Sequence, residues 1–445
     1  MQSKELYLKT NPYKLFFMTA VPGAISMLAS MLYGIFDGIF VGQLLGDTAF
    51  AAVNLAFPFV IINFSISDLI AVGSAVPISI ALGKHEDEKA NNIFTSASLL
   101  IIITGAVLGV VMYIFSPMLL GLMGAEGELK NLATDYVRVY AVTSPLTTMT
   151  FAMDNYLRIS GRIKTSMFLN IALSVFTVAL EFVFLFVFRF GIWGAALASC
   201  LSMMLVVLVS VYPFARGRLQ LKYRKPKFTK AMLLQIATCG VPTFLNNIAG
   251  RITSIIMNVA LLSLGGVEAV AIYGILMYIG ESIQPIVYGV CDSLQPAIGY
   301  NYGAKQYDRV KKLTVCIFVA AFAVSVGGAA LMFFCPDILV PLFTTNTEPS
   351  FLAEAILALE IYASSKLLQW FSMAAQSYLT AIEKPAMAGI ISVCTALIFP
   401  VLALFAFYPL GLTGLWLNAT VTMALSFVLS LLLLIISARH KMKNA

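Results

Sequence analysis

The feature that most constrains this chain is a succession of apolar runs, each long enough to cross a bilayer. About 20 apolar residues suffice for a membrane-spanning helix, so the runs predict twelve spans. Only 11% of the residues are charged, against about 25% in a soluble chain. We therefore predict an all-α polytopic membrane protein without a soluble domain. The predicted spans, numbered 1 to 12 in order, are 14–45, 48–82, 92–121, 130–157, 164–189, 191–214, 231–263, 267–302, 311–336, 350–381, 385–408 and 411–437.

Lysine and arginine are distributed unevenly between the two sides of the predicted bundle. With the N-terminus placed in the cytoplasm, 23 of the 28 basic residues fall in cytoplasmic segments, and seven of these lie in residues 216–230. The opposite side keeps only Lys130 and Arg189. Because cytoplasmic loops carry the excess of basic residues, both termini are predicted to be cytoplasmic, in a multi-pass protein of the inner (plasma) membrane.

The chain repeats at an offset of 220 residues. Proline and glycine punctuate structure, so their coincidence carries more weight than matching Leu or Ala. We predict two pseudo-symmetric six-helix lobes, residues 1–214 and 231–445, joined by a basic cytoplasmic linker at 215–230. Six spans per lobe make the repeat parallel, around an axis along the membrane normal, and we expect a central cavity that opens to either side in turn. The coinciding residues include Val21-Pro22 with Val241-Pro242, Gly46 with Gly266, Gly83 with Gly303, Lys164 with Lys384 and Gly191 with Gly411.

Motifs for catalysis, nucleotides or metals do not stand out in the sequence. There are two histidines and six cysteines without CxxC spacing, and no P-loop, GxSxG or HExxH motif. We expect no enzyme activity, no cofactor, no metal site and no disulfide framework. Because the basic residues lie in short loops between spans, we expect no nucleic-acid partner either. Energy for transport then has to come from an ion gradient.

Acidic residues inside the spans of the first lobe are the main functional candidates, because a carboxylate in the bilayer is costly. Asp37 is the only acid of span 1 and shares a helix face with Tyr33. Thr177 and Glu181 form a similar stripe in span 5. The alternative for each acid is a structural pairing with a neighbouring helix.

Two further acids of the first lobe fit a structural role as well as a functional one. Asp154 in span 4 lies four residues before Arg158, a spacing that favours a salt bridge. Asp68 in span 2 would be functional if its face meets the cavity.

The second lobe carries polar stripes of mixed charge on spans 7, 8 and 10. Such stripes must face a wet cavity or each other, so they form either a wall that contacts substrate or a buried network that locks the lobe. The repeat does not preserve the acids, since Asp37 aligns with Met257 and Glu181 with Val401. This difference predicts that one lobe alone carries the coupling ion. The residues of interest in the stripes are Arg251, Glu281, Gln284, Asp292 and Lys366.

Several of these features together resemble the multidrug and toxic compound extrusion (MATE) transporters. The resemblance rests on Val21-Pro22 followed by Asp37 and then Val41-Gly42, on Gly191 with residues 194–199 at the start of span 6, and on residues 300–309 after span 8. It covers essentially the whole chain. It is greatest to the bacterial branch whose coupling acids lie in the N-terminal lobe.

The resemblance implies a cation antiporter that exports organic, often cationic, compounds. By position it implies that Asp37, Tyr33 and Glu181 bind the coupling cation together with Ser199, where the family has a threonine, and with Thr177. It also implies that Pro22 is a hinge of span 1 and that Asp154 matches an acid found in part of the family. The sequence departs from the family at Thr177, where an asparagine is usual, and at Gly250-Arg251, near the place of a glutamate in the sodium-coupled branch.

As a mechanism we expect Asp37 and Glu181 to share the coupling cation, a proton in preference to sodium. Protonation from outside would let span 1 bend at Pro22 and release the substrate outward. Expected partners are a small organic substrate, the coupling cation and membrane lipids, and the protein is expected to be a monomer. The alternatives are a sodium-coupled antiporter, a flippase of the same superfamily for lipid-linked sugars or polyprenyl phosphates, and a membrane-embedded enzyme.

Overall fold

The structure, a computed structural model, describes residues 3–344 and 348–443. A short helix, Ser3–Lys9, precedes the spans. The spans are formed by Pro12–Phe40 with Val41–Leu45, Asp47–Gly83, Asp87–Leu122, Gly127–Thr147 with Met149–Ile159, Ile163–Phe182 with Val183–Val187, Ile192–Ala215, Lys230–Asp292 with Gln295–Gly303, Tyr307–Phe334, Pro349–Ala381, Pro385–Val393 with Cys394–Ile398 and Phe399–Phe407, and Gly411–Lys443. The stretch Lys230–Asp292 contains spans 7 and 8, which are separated by the non-helical residue Gly266.

The predicted all-α membrane fold is confirmed, with twelve helical spans. In the described part of the chain, nine helical stretches are long and apolar enough to cross a membrane. One of them, Pro385–Arg439, contains both span 11 and span 12, which meet at Gly411. Spans 4 and 10 have a similar length but carry more charged residues, so a hydropathy criterion alone misses them.

The backbone repeats at the same offset as the sequence. Gly46 and its repeat-mate Gly266 have φ angles of 84° and 64°, and Gly191 and its repeat-mate Gly411 have 74° and 66°. These conformations are accessible to glycine and strained for other residues. Each of these glycines lies between two consecutive spans, and the two members of a pair lie at equivalent places in the two halves. The predicted parallel repeat therefore extends to the turns.

The chain forms two compact units that differ slightly from the two halves of the sequence. The first comprises the segment up to Met18, Ile25–Gly240 and Gly299–Gln306, and the second comprises Thr19–Ala24, Val241–Ile298 and the chain from Tyr307 onward. The tail of span 8 thus belongs with the first unit. There it crosses span 2 closely, because a Cβ added to Gly83 would lie 2.2 Å from the Tyr300 carbonyl oxygen, and one added to Gly303 would lie 2.2 Å from that of Ile80.

The N-terminal helix Ser3–Lys9 docks on the first unit through Tyr7, whose side chain is completely buried. The Tyr7 ring stacks on Tyr300 with 4.7 Å between the centroids. Its hydroxyl donates to the carbonyl of Arg158, and its own carbonyl accepts a hydrogen bond of 3.0 Å from the Asn301 side chain. Burial raises the pKa of the Tyr7 hydroxyl above its ordinary value.

Candidate cation-coupling site

Span 1 presents Asp37 one helical turn after Tyr33, as the spacing predicts. The α-helix ends at Phe40 and continues as the wider π-helical turn Val41–Leu45. Such turns are rare and often lie at functional sites. Asp37 thus lies in the last α-helical turn before the change of helix geometry.

Glu181 occupies the matching place in span 5. It is the last residue but one of the α-helix Ile163–Phe182, which is followed by the π-helical turn Val183–Val187. Its side chain is 0% exposed. Within the described part of the chain, neither of its carboxyl oxygens has a hydrogen-bond partner. A buried carboxylate in such surroundings is costly unless something neutralises it.

The carboxyl groups of Asp37 and Glu181 interact directly across the two helices. They face each other without a closed hydrogen bond, since both Glu181 oxygens lack a partner at bonding distance among the described residues. The hydroxyl of Tyr33 interacts electrostatically with both acids and lies near Ser199 of span 6, whose own hydroxyl has no hydrogen-bond partner among the described residues. The structure therefore brings four of the five predicted cation-binding residues into one cluster.

Span 6 approaches this cluster closely because its first turns are built from small residues. Ala195, Ala196 and Ala198 are completely buried, and Ser199 is 1% exposed. A Cβ added to Gly194 would lie 2.8 Å from the Cβ of Phe190, so only glycine fits beside that side chain. Because these residues are small, span 6 packs closely enough to bring Ser199 near the two acids.

Thr177, the fifth predicted residue, is buried one turn before Glu181. Its hydroxyl donates a hydrogen bond of 2.8 Å to the carbonyl of Leu173 in its own helix. Threonine commonly makes this bond within helices. The hydroxyl is thus already engaged, although its oxygen retains acceptor capacity.

Two tyrosines of span 4 complete the cluster, and sequence reasoning missed them. Tyr136 and Tyr140 are 2% and 3% exposed, and their ring centroids are 5.4 Å apart. Both interact electrostatically with Asp37 and Tyr33. The signal was their i, i+4 spacing on one face of span 4, but tyrosine was counted among apolar residues.

The surroundings of the two acids are apolar. The buried cluster of the first unit packs Val41 and Leu185, from the two π-helical turns, together with residues of spans 2, 3, 4 and 6. No lysine or arginine is among the groups that act on either acid in the part of the chain that the structure describes. The arrangement can therefore bind a proton or another cation, and it disfavours two negative charges.

The family model for MatE matches residues 22–183 and 242–405, which are most of both halves of the chain. The chain belongs to the MatE family. As a member of this family it is a transporter and not an enzyme.

Relatives and solved structures resemble this MatE protein over nearly its full length. The multidrug export protein MepA of Staphylococcus aureus is 27% identical over 425 residues, which are 93% of this chain and 92% of MepA. A crystal structure of MATE in complex with MaL6 superposes with a TM-score of 0.93 at 23% identity, over 99% of this chain and 100% of that one. The outward-facing structure of a multidrug resistance MATE family transporter of the MOP superfamily gives 0.92 at 24% identity, over 99% of both chains. These structural likenesses show the fold.

Asp154 of this MatE protein is held in a hydrogen-bonded network away from the acid pair. It forms the predicted ion pair with Arg158, with 2.8 Å between the atoms. It also accepts hydrogen bonds from Ser166 and, at 2.8 Å, from Asn170.

Asp68 is half-buried in span 2 and makes contacts of its own. Pro22 lies inside the continuous helix Pro12–Phe40, in the short segment that groups with the second unit.

Part of the polar stripes of the second unit is satisfied internally. Asp292, where span 8 is interrupted, accepts a hydrogen bond of 2.8 Å from Gln295, which also donates to Ser377 at 3.2 Å. Lys366 is 3% exposed. Its ammonium donates to Gln369 at 2.8 Å and lies 4.8 Å from the ring centroid of Tyr362.

The remaining predicted residues of spans 7 and 8 differ in exposure. The Arg251 side chain is exposed, and Gln284 is half-buried. The side chain of Glu281 lies outside the described residues.

Proposed function

We propose that this MatE protein exports organic, chiefly cationic, compounds by antiport against a cation, through alternating access. MepA, to which it is similar, is a multidrug export protein. The observation that carries the proposal is the Glu181 carboxyl, which is 0% exposed and has no hydrogen-bond partner among the described residues. Such a group needs a cation, and Asp37 beside it adds a second negative charge for the same cation to neutralise.

The coupling follows from competition for this pair of acids. A bound proton removes the negative charge that a cationic substrate requires, and a bound substrate disfavours the proton. Each ligand then stabilises the conformation to which it binds better. Tyr33 and Ser199 would orient the proton between the carboxyl groups. Thr177 would support Glu181 from the preceding turn.

A proton suits the site better than sodium does. Metal cations of the hard class require several oxygen ligands, whereas a proton requires one acceptor. Ala195 and Ala196 of span 6, which pack in the same cluster as Tyr136 and Tyr140, supply no oxygen ligand.

Pro22 is the proposed hinge of span 1. Proline lacks the N–H that would bond to the carbonyl four residues earlier, and helices bend at such positions. Bending there would move Asp37 and Tyr33 together, because both lie on the same helix beyond the proline. In this scheme the protein is a monomer of the plasma membrane with both termini in the cytoplasm.

In the second unit we propose a division between structural and substrate-facing groups. Asp292 and Lys366 would hold their helices in place through the bonds to Gln295 and Gln369. Arg251, Gln284 and Glu281 would contact the substrate or balance its charge. This assignment predicts that changes at the second group alter which compounds are exported.

The test is transport of ethidium, an organic cation, into proteoliposomes under an imposed pH gradient in sodium-free buffer. The wild type should accumulate ethidium, whereas Asp37→Asn and Glu181→Gln should lose accumulation and still exchange ethidium at equal pH. Asp308→Asn and Glu128→Gln are matched controls, since both acids are exposed. Full accumulation by either site variant would overturn the proposal. An absolute requirement for sodium would overturn the choice of ion, and binding of polyprenyl phosphates in preference to organic cations would favour the flippase.

A further inference from the structure

The basic linker, residues 215–230, is an ordered part of the first unit that packs against span 3. It joins the end of span 6 to the start of span 7 through a turn at residues 216–217 and a non-helical stretch. Side chains near the start of span 3 hold its backbone. The hydrogen bonds run from the Lys222 amide to Asn91 (2.7 Å), from the Arg224 amide to Thr95 (3.0 Å), from the Lys227 amide to Asn92 (2.7 Å), and from the Asn92 side chain back to the Lys227 carbonyl (3.0 Å).

The side chains of the basic linker fall into two rows, one packed against the protein and one exposed. Leu219 and Leu221 are 7% and 0% exposed. Tyr223 packs on Phe94 with ring centroids 4.7 Å apart. The residues between and beside them carry exposed positive charges, namely Arg218, Lys222 and Arg224.

The exposed row forms no ion pair among the described residues, and Asp87, which accepts a hydrogen bond from Gln220 of the basic linker, is paired with Lys4. Residues 215–230 contain seven basic residues and no acid. In the described parts of the chain, none of the four ion pairs involves any of the seven. The guanidinium carbons of Arg216 and Arg218 lie 4.8 and 5.9 Å from the ring centroid of Tyr212. These contacts fix the position of both arginines without neutralising them.

The place of the basic linker puts this charge at the bilayer surface. It joins two spans directly, and exposed aromatic side chains stand at both ends, with Tyr212 48% and Phe228 45% exposed. Aromatic residues favour the headgroup region of a membrane. Basic residues next to a span are attracted to anionic lipid headgroups.

We propose that the basic linker is a binding site for anionic phospholipid, in which Arg218, Lys222 and Arg224 contact the headgroup phosphate. The hydrogen bonds from span 3 hold the backbone at Lys222 and Arg224, and the Arg218 guanidinium lies beside the Tyr212 ring. A charged but unstructured loop would attract anionic lipids only diffusely. The ordered basic linker is expected to bind individual lipid molecules. Lipid affinity should therefore depend on where the basic residues are held and not only on the net charge of the linker.

The experiment counts lipids bound to the purified full-length protein by native mass spectrometry during titration with phosphatidylglycerol, with phosphatidylcholine as the zwitterionic reference. The wild type should bind phosphatidylglycerol at least about tenfold more tightly. The triple variant R218Q/K222Q/R224Q should lose this preference. The matched control K305Q/K311Q/K312Q removes the same charge from three exposed residues around the start of span 9 and should keep the preference.

A second variant tests the positioning. The double variant N91A/T95V leaves every basic residue in place but removes the bonds to the amides of Lys222 and Arg224, so it should weaken phosphatidylglycerol binding several-fold. Equal affinity for the two lipids, equal loss in both triple variants, or unchanged binding in N91A/T95V would overturn the proposal. Displacement of the lipid by millimolar inorganic phosphate would also overturn it, because the site would then recognise free phosphate. The measurement involves no transport, so its outcome is independent of the proposed antiport.

Discussion

Binding of an organic monocation should release one proton from the acid pair. Glu181 is fully buried, and Asp37 is the charged group that acts on it. Two unit charges about 4 Å apart at an effective dielectric constant of about 20 repel by about 4 kcal/mol. This energy corresponds to roughly three powers of ten in a protonation equilibrium. Under the proposed mechanism, the empty pair is then expected to keep one proton, which a bound monocation replaces.

The assay is addition of ethidium to purified protein in weakly buffered solution that contains a pH indicator. We expect about one proton per cation bound, and an apparent Kd that rises about tenfold for each unit by which the pH falls. In Glu181→Gln the release should vanish and the Kd should become independent of pH. Glu128→Gln, a change at an exposed acid, should behave as the wild type. Binding of ethidium by the wild type without proton release would refute the reasoning.

Three further predictions concern stability, each measured as the shift in thermal unfolding. Tyr7→Ala removes a completely buried ring and should cost about 3–5 kcal/mol, whereas Tyr13→Ala, at a side chain 58% exposed, should stay within about 0.5 kcal/mol. Asp154→Asn breaks an ion pair to a buried arginine and should cost up to about 3 kcal/mol, while pH-driven export per folded molecule persists. Gly240→Ala would place a Cβ 1.8 Å from a backbone carbonyl oxygen and should cost about 1–3 kcal/mol or more, whereas Gly250→Ala meets nothing within 4 Å and should be neutral or stabilising.

The sequence predicted the spans well because hydropathy and glycine positions act locally. Span ends agree to within a few residues, and the repeat predicted from Gly46 and Gly191 reappears in their φ angles. Tyr33, Asp37 and Glu181 could be placed together only through the family resemblance, because helical spacing shows which residues share a face but not which helices meet.

Other features of the structure were not predicted from the sequence. The π-helical turns after Asp37 and Glu181 depend on packing between helices and leave no mark in the local residue pattern. Tyr136 and Tyr140 were missed because a tyrosine in an apolar run counts as hydrophobic until its hydroxyl is seen beside a carboxyl group. The basic linker was predicted only as a connection, since its bonds to Asn91, Asn92 and Thr95 join residues about 130 positions apart.

The burial of Tyr7 against Tyr300 and Asn301 has a consequence for biosynthesis. The residues joined by the bond from Asn301 are 294 positions apart, and a ribosome adds about 5–20 residues per second. The N-terminal helix therefore waits roughly 15–60 s before its partners are made. Nascent chains stalled before the tail of span 8 should expose Tyr7 to proteases, and chains that include it should protect this residue. The first unit is thus completed only after spans 7 and 8, the first two of the second half, have been made.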